Sequence, residues 1–213
     1  MKVLIVNNYH HADKVTELVQ AVGMFCLYEV VAYHEVGNNF RIESDIGAVI
    51  ISGSEARIVK IEDRVGFDGV SRLIRNTNLP TLGICYGHQL MCLELGAEVA
   101  TLQEPVIDIF ESVRLIGADG IFHGFSVGQD ISLAEAHYDY VKRESLWKVG
   151  LVLLADSPSC EVEAVKHKDK PFYGIQFHPE KIRIGREQCE EGLRIIKNFC
   201  SLSRIYQNPN HEN

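Results

Sequence analysis

The sequence predicts an α/β fold, an open and mostly parallel sheet with helices on both faces, and three observations carry that expectation. Short apolar runs rich in β-branched residues alternate with segments of helical periodicity from the start of the chain to Gly96. After Gly96 the texture changes to successive strand-like segments, which read as a small antiparallel insertion. The chain then closes on more strands and a helix, and its 213 residues with 46% hydrophobic content can bury one conventional core. We expect a single domain over residues 1–203 and a polar tail over 204–213.

The opening run "KVLIV" is continuously apolar, the pattern of a strand buried on both faces. In "ADKVTELVQAVG", Val15, Leu18, Val19 and Val22 fall on one helical face before Gly23 closes the segment. "LYEVVAY" and "IGAVIIS" read as the second and third strands, and "RVGFDGVSRLIRNT" as a helix ending ahead of Pro80. "PTLGI" leads into a further helix near Tyr86, after which "AEVATLQEPVIDIFESVRLIG" reads as successive strands. "LVLLADS", "CEVEAVKH" and "PFYGIQF" are the last strand candidates, and "REQCEEGLRIIKNFCSL" is the closing helix.

The net charge of -8 leaves no phosphate-neutralising excess, so neither nucleic acid nor an anionic membrane is an expected partner. No apolar run approaches the roughly 20 residues of a membrane-spanning helix, and the apolar part of "MKVLIVNNYHH" is too short for a signal sequence. The expectation is a cytoplasmic protein. Cys26, Cys85, Cys92, Cys160, Cys189 and Cys200 form no C-x-x-C pair and no regular spacing, so reduced thiols are expected rather than a zinc ribbon or disulfide framework. No metal site is expected either: His10, His11, His123 and His137 lack paired spacing, and they read as solvated or partner-facing.

One cysteine stands apart. In "PTLGICYGHQLMCLELG", Cys85 lies between Gly83 and Gly87 where a strand hands over to a helix. In an open α/β sheet that junction is the binding edge, and the helix N-terminus favours a thiolate there. The flanking glycines permit a tight turn and close backbone approach, the mechanics of a nucleophile elbow. A buried core cysteine has no need of them, whereas Cys92, beside Leu93 and Leu95, fits that plainer description. A thiolate nucleophile needs an imidazole, and the imidazole needs a carboxylate to orient it. "YGIQFHPEK" offers both, with His178 just past a strand end and Glu180 two residues on.

At these residues the chain resembles the class I glutamine amidotransferases, whose nucleophile motif matches "GICYGHQ" and whose His–Glu pair matches "FHPE". "AHYDYV" and "CEVEAVKHKDKPFYGIQFHPE" look most like the GMP synthase branch of that family. The resemblance implies that Cys85 attacks the side-chain amide of glutamine, that His178 shuttles protons and that Glu180 orients it. It implies oxyanion donors at the backbone of Tyr86 and, across the cleft, at Gly53 and Ser54 in "IISGSEAR", where the family has a Gly-Gly-Pro segment. Gln89 matches a position that helps hold the substrate, and Asp108 falls where the family often has a Ser or His. An extra carboxylate at that point is expected either to repel the α-carboxylate of glutamine or to bind its ammonium group. "NNYHH" departs from the GMP synthase pattern toward that of the anthranilate synthase component, and His137 matches a segment near the family's contact with its synthase.

Ammonia in neutral water is mostly ammonium, which has no lone pair for attack, so the resemblance implies sheltered delivery to a separate synthase chain. No phosphate-binding G-x-x-x-x-G-K-[ST] or G-x-G-x-x-G run occurs, so no cofactor is expected in this chain, and ATP and Mg²⁺ would belong to the partner. Three alternatives stay open: a stand-alone γ-glutamyl hydrolase, the amidotransferase component of another synthase such as anthranilate synthase, and a binding or regulatory homologue.

Overall fold

The computed structural model describes residues 2–118 and 120–207, with side chains through residue 202. A nine-stranded sheet runs through the molecule in the order β2-β1-β3-β4-β9-β8-β7-β5-β6. Its parallel half comprises β1 (Lys2–Asn7), β2 (Leu27–Ala32), β3 (Ile46–Ile51), β4 (Thr81–Ile84) and β9 (Phe172–Ile175). β5 (Val99–Leu115), β6 (Asp130–Val141), β7 (Leu151–Asp156) and β8 (Ala164–His167) continue the same sheet antiparallel.

Helices cover both faces because the central strands are apolar on both. Val3, Ile5, Ile50, Leu82 and Ile84 pack on one side against α1 (Thr16–Gly23) and α5 (Glu191–Gln207), through residues such as Leu18, Ile196 and Phe199. Leu4, Val6, Val49 and Ile51 pack on the other against α3 (Asp68–Asn76) and α4 (Tyr86–Glu94), through Val70, Ile74, Leu90 and Met91. Alternate residues of one strand thus feed two cores, as the two-residue period of a strand requires.

Several expected boundaries move. The segment read as one helix from Arg64 is a short helix, α2 (Ile61–Arg64), a 3₁₀ turn and then α3, with Gly66 at the break. The successive strands read after Gly96 are one long β5, whose pairing with β6 shifts register twice, around Val106. The closing helix begins at Glu191, because Arg183–Ile184 (β10) and Glu187–Gln188 (β11) pair as a small hairpin. Residues 204–207, assigned to the tail, belong to α5, and 208–213 lie outside the described residues. Among the described residues no helix is long and apolar enough to cross a membrane.

Candidate active site

β4 ends at Ile84 and α4 starts at Tyr86, so Cys85 alone makes the turn, with φ 50 and ψ -108. That left-handed conformation is strained for a residue with a Cβ. It is held in place: the Cys85 amide donates to the Ile175 carbonyl at 2.8 Å, and the Cys85 carbonyl accepts from the Gln89 amide at 3.0 Å. The glycines serve close approach. A Cβ on Gly83 would lie 2.6 Å from the Gly87 carbonyl oxygen, and one on Gly87 would collide with the carbonyls of Ile51 and Ser52 at the end of β3. The G-x-C-x-G spacing therefore lets α4 pack down on two strand ends while the cysteine carries the strain.

β9 delivers the imidazole. Past Ile175 the chain meets β6, where the His178 amide donates to the Ala134 carbonyl at 2.8 Å, and Cys85 Sγ lies 3.8 Å from the neighbouring Ala136 carbonyl. His178 Nδ1 is 2.8 Å from Glu180 Oε1, and both side chains are buried. Burial alone would drive the imidazole neutral, but the charges of Glu180 and Cys85, and its hydrogen bonds to both, raise His178 to about 10. The ring therefore keeps its proton through neutral pH.

The cavity beside these groups has a volume of about 610 Å³, and Cys85, Tyr86, Gln89, Ser54, Asp108 and His178 all line it. Tyr86 presents its backbone to this space, since its ring is buried against Phe67 with centroids 4.7 Å apart. Across the cleft Gly53 gives close approach: a Cβ there would lie 2.7 Å from Tyr9 Oη and 3.0 Å from His178 Cε1, so both side chains would have to shift. Ser54 takes up the chain in a conformation open to any L residue, and its Oγ accepts from the Ala56 amide at 3.1 Å. The serine in place of a glycine therefore brings no backbone strain to this loop.

Gln89 donates its amide to the Asp139 carbonyl at 2.6 Å and to Gln176 Oε1 at 3.0 Å, which fixes the orientation of its head group. Asp108 stands at the rim with φ 45, and its Oδ1 accepts from Lys181 Nζ at 2.8 Å. That hydrogen bond, with the Lys181 charge, holds the carboxyl below its ordinary range despite partial burial. The extra carboxylate is thus paired with a lysine and not left as a lone negative charge.

The structure adds groups that sequence reasoning passed over. Tyr9, at the end of β1, lines the cavity, and burial followed by the charges of Glu180 and Cys85 pushes its phenol far up, so it stays a neutral donor. Arg57 also lines the cavity, and its Nε and Nη2 both reach the buried Asp139 carboxylate, at 2.9 and 2.5 Å. Each of the three lies in a stretch quoted above, "NNYHH", "SGSEAR" and "AHYDYV", and the strand-end rule of α/β sheets would have flagged Tyr9. His137 corrects an expectation: it is 2% exposed, because β6 turns its side chain inward between the cavity and the sheet interior, so it is not solvated.

A family model for glutamine amidotransferase class-I matches residues 5–200. The chain belongs to the class I glutamine amidotransferases. Within that family it is similar to the glutamine-hydrolyzing GMP synthase subunit of Methanothermobacter thermautotrophicus, 40% identical over 131 residues, covering 62% of this chain and 64% of the relative. The corresponding Sulfolobus acidocaldarius protein is 31% identical over 160 residues, covering 75% of this chain and 78% of the relative. The matched stretch thus spans a little under two thirds of the first relative's own length. A solved structure from Thermoplasma acidophilum, provisionally assigned to the same GMP synthase component, superposes with a TM-score of 0.82 over 100% of this chain and 98% of its own. At 24% identity that likeness concerns the amidotransferase fold.

Proposed function

We propose that the protein hydrolyses glutamine to glutamate and ammonia through a γ-glutamyl thioester on Cys85, acting as the glutaminase subunit of a GMP synthase-type enzyme. The observation that carries the chemistry is the strained Cys85 elbow with the buried His178–Glu180 pair beside it, opening on one cavity. The GMP synthase branch is supported by the relatives' names.

Cys85 Sγ attacks the side-chain carbonyl carbon, and the oxyanion accepts from the backbone N–H of Tyr86 and from the Gly53–Ser54 backbone opposite. His178, already protonated, gives its proton to the nitrogen as the C–N bond breaks, and ammonia leaves. Water then attacks the thioester, His178 takes a water proton, and the Cys85 thiolate departs as glutamate forms. Glu180 holds Nδ1 throughout, so that Nε2 works on the substrate. Gln89 orients the side-chain end, and the Asp108–Lys181 pair at the rim offers one charge of each sign, matching an amino acid's α-ammonium and α-carboxylate.

The acceptor chemistry lies in a second chain that binds ATP and Mg²⁺. Ile107 and Tyr138, each 46% exposed, stand at the cavity mouth where ammonia would pass to it. Glutamate release measured with and without an ATP-dependent synthase chain tests the proposal. Turnover that rises with synthase and acceptor, and vanishes in Cys85→Ala, is the expected result. Turnover indifferent to the synthase and faster on γ-glutamyl peptides would replace it with stand-alone γ-glutamyl hydrolysis.

A further inference from the structure

We propose that the interior behind the catalytic cavity is a site for a divalent transition metal of the zinc class, with His137 Nε2, Cys160 Sγ and one carboxylate oxygen of Glu163 as ligands and the Glu135 carboxyl group beside them. The argument begins with the tautomer of His137. Its Nδ1 lies 3.2 Å from the Asp139 carbonyl oxygen, an acceptor only, so Nδ1 carries the proton and Nε2 presents a lone pair. That lone pair faces Glu135 Oε2 at 3.4 Å, in a place where both side chains are fully buried. Two acceptors so placed repel unless a proton or a cation lies between them.

The spacing favours the cation. A carboxylic O–H donating to an imidazole would draw the atoms to about 2.6–3.0 Å. Two ligands on a tetrahedral zinc, each about 2.0–2.2 Å from the metal, stand about 3.4 Å apart. The His137, Cys160 and Glu163 ligand atoms lie within 4.8 Å of one another, as do those of Glu111, Glu135 and Glu163, so Glu163 joins the two sets.

The carboxyl groups of this cluster have few partners. Apart from the hydrogen bond that Glu135 and Glu163 make with each other, no group among the described residues donates to either oxygen of Glu135, to Oε2 of Glu163 or to Nε2 of His137, although their residues are 0%, 0% and 2% exposed. Among the described residues no lysine or arginine pairs with Glu135 or Glu163. Around them the outer groups are already set. Ser157 Oγ lies 2.8 Å from Glu163 Oε1, the shorter of its two carboxylate contacts, so its one proton goes there, which leaves Oε2 for the metal, while the Ser159 amide and hydroxyl hold Glu111. This is the arrangement in which outer hydrogen bonds orient metal ligands. Two fully buried carboxyl groups and a buried imidazole thus meet with no cationic side chain among the described residues paired to them. Carboxylates with imidazole and thiolate suit zinc better than magnesium or calcium. A metal here would pin His137, and with it the β6 wall of the cavity.

The test uses the full chain, stripped with a chelator and titrated with Co²⁺ as a visible probe, then with Zn²⁺. One equivalent of Co²⁺ should give ligand-field bands of tetrahedral intensity with a thiolate-to-cobalt charge-transfer band, and Zn²⁺ should bleach both. Cys160→Ser should lose the charge-transfer band, and Glu163→Gln should weaken Co²⁺ binding at least about tenfold, with circular dichroism confirming that each variant folds. Absence of stoichiometric uptake by the unmutated protein would overturn the proposal without recourse to any variant. So would spectra unchanged in both variants, which would place the metal elsewhere.

Discussion

Two buried clusters of ionisable side chains meet at β6, and they are balanced in opposite ways. In the first, His178 sits between Glu180 and Cys85, and the surrounding negative charge keeps its proton on despite burial. In the second, Glu135 and Glu163 are as deeply buried, and the nearest imidazole, His137, is driven neutral to about 4, by its own burial first. One cluster carries its own cation, and the other must borrow protons or a metal. In the proposed mechanism the contrast explains why the first works unaided, while the second can only act through what it binds. A third group between them shows the ordinary solution: Asp139 is buried too, and Arg57 meets it with two hydrogen bonds.

Breaking the first cluster should have the largest effect. Cys85→Ala is expected to lower glutamate release by at least about a thousandfold, measured in a coupled glutamate assay, with the far-ultraviolet circular dichroism unchanged. Glu180→Gln keeps the shape of the side chain but removes the charge that holds His178 protonated, and kcat should fall by about a hundredfold or more. Arg57→Ala leaves the Asp139 carboxylate buried without its guanidinium, and urea unfolding should show a loss of about 2–4 kcal/mol.

The smallest and most discriminating effects lie in pH dependence. His178 holds its proton to about 10 in the folded chain against 6.5 ordinarily, so the stability it contributes is complete below about pH 6.5 and is lost as pH rises toward 10. Glu163 is also raised, from 4.5 to about 7, so metal-free protein should lose stability in a lower window, between about pH 4.5 and 7. Urea melts of Glu163→Gln in chelator should make the lower window shallower, leaving the share that Glu135, also raised, supplies. A slope unchanged in that variant would show that Glu163 does not titrate in this window.

The two clusters were also unequally legible in the sequence. Cys85, His178 and Glu180 announce themselves because they stand in short contiguous motifs at strand ends, where G-x-C-x-G and H-P-E can be read locally. The strand and helix order of the parallel half is legible for a similar reason, since each apolar run there is bounded by turn residues. The second cluster is assembled from β5, the middle of β6 and the turn before β8, so residues such as Glu135 and Glu163 look like solvent-facing positions of alternating strands. The long pairing of β5 with β6, bent by register shifts that no local pattern specifies, turns Glu135 inward, and backbone bonds to Ala155 and Gln176 place Glu163. The helix expected from Arg186 failed for a related reason: Arg183–Ile184 and Glu187–Gln188 close a two-stranded hairpin across Gly185, which takes φ 59.

The central claim, that Cys85 is the nucleophile of a glutamine-binding cavity, is tested most directly by covalent trapping. A glutamine analogue with an electrophilic γ-carbon would be incubated with the protein, and the modified site mapped by peptide mass spectrometry. One equivalent on Cys85, blocked by excess glutamine and with Cys26, Cys92, Cys160, Cys189 and Cys200 untouched, is the predicted result. Labelling absent from Cys85, or spread over the other cysteines and indifferent to glutamine, would contradict the account.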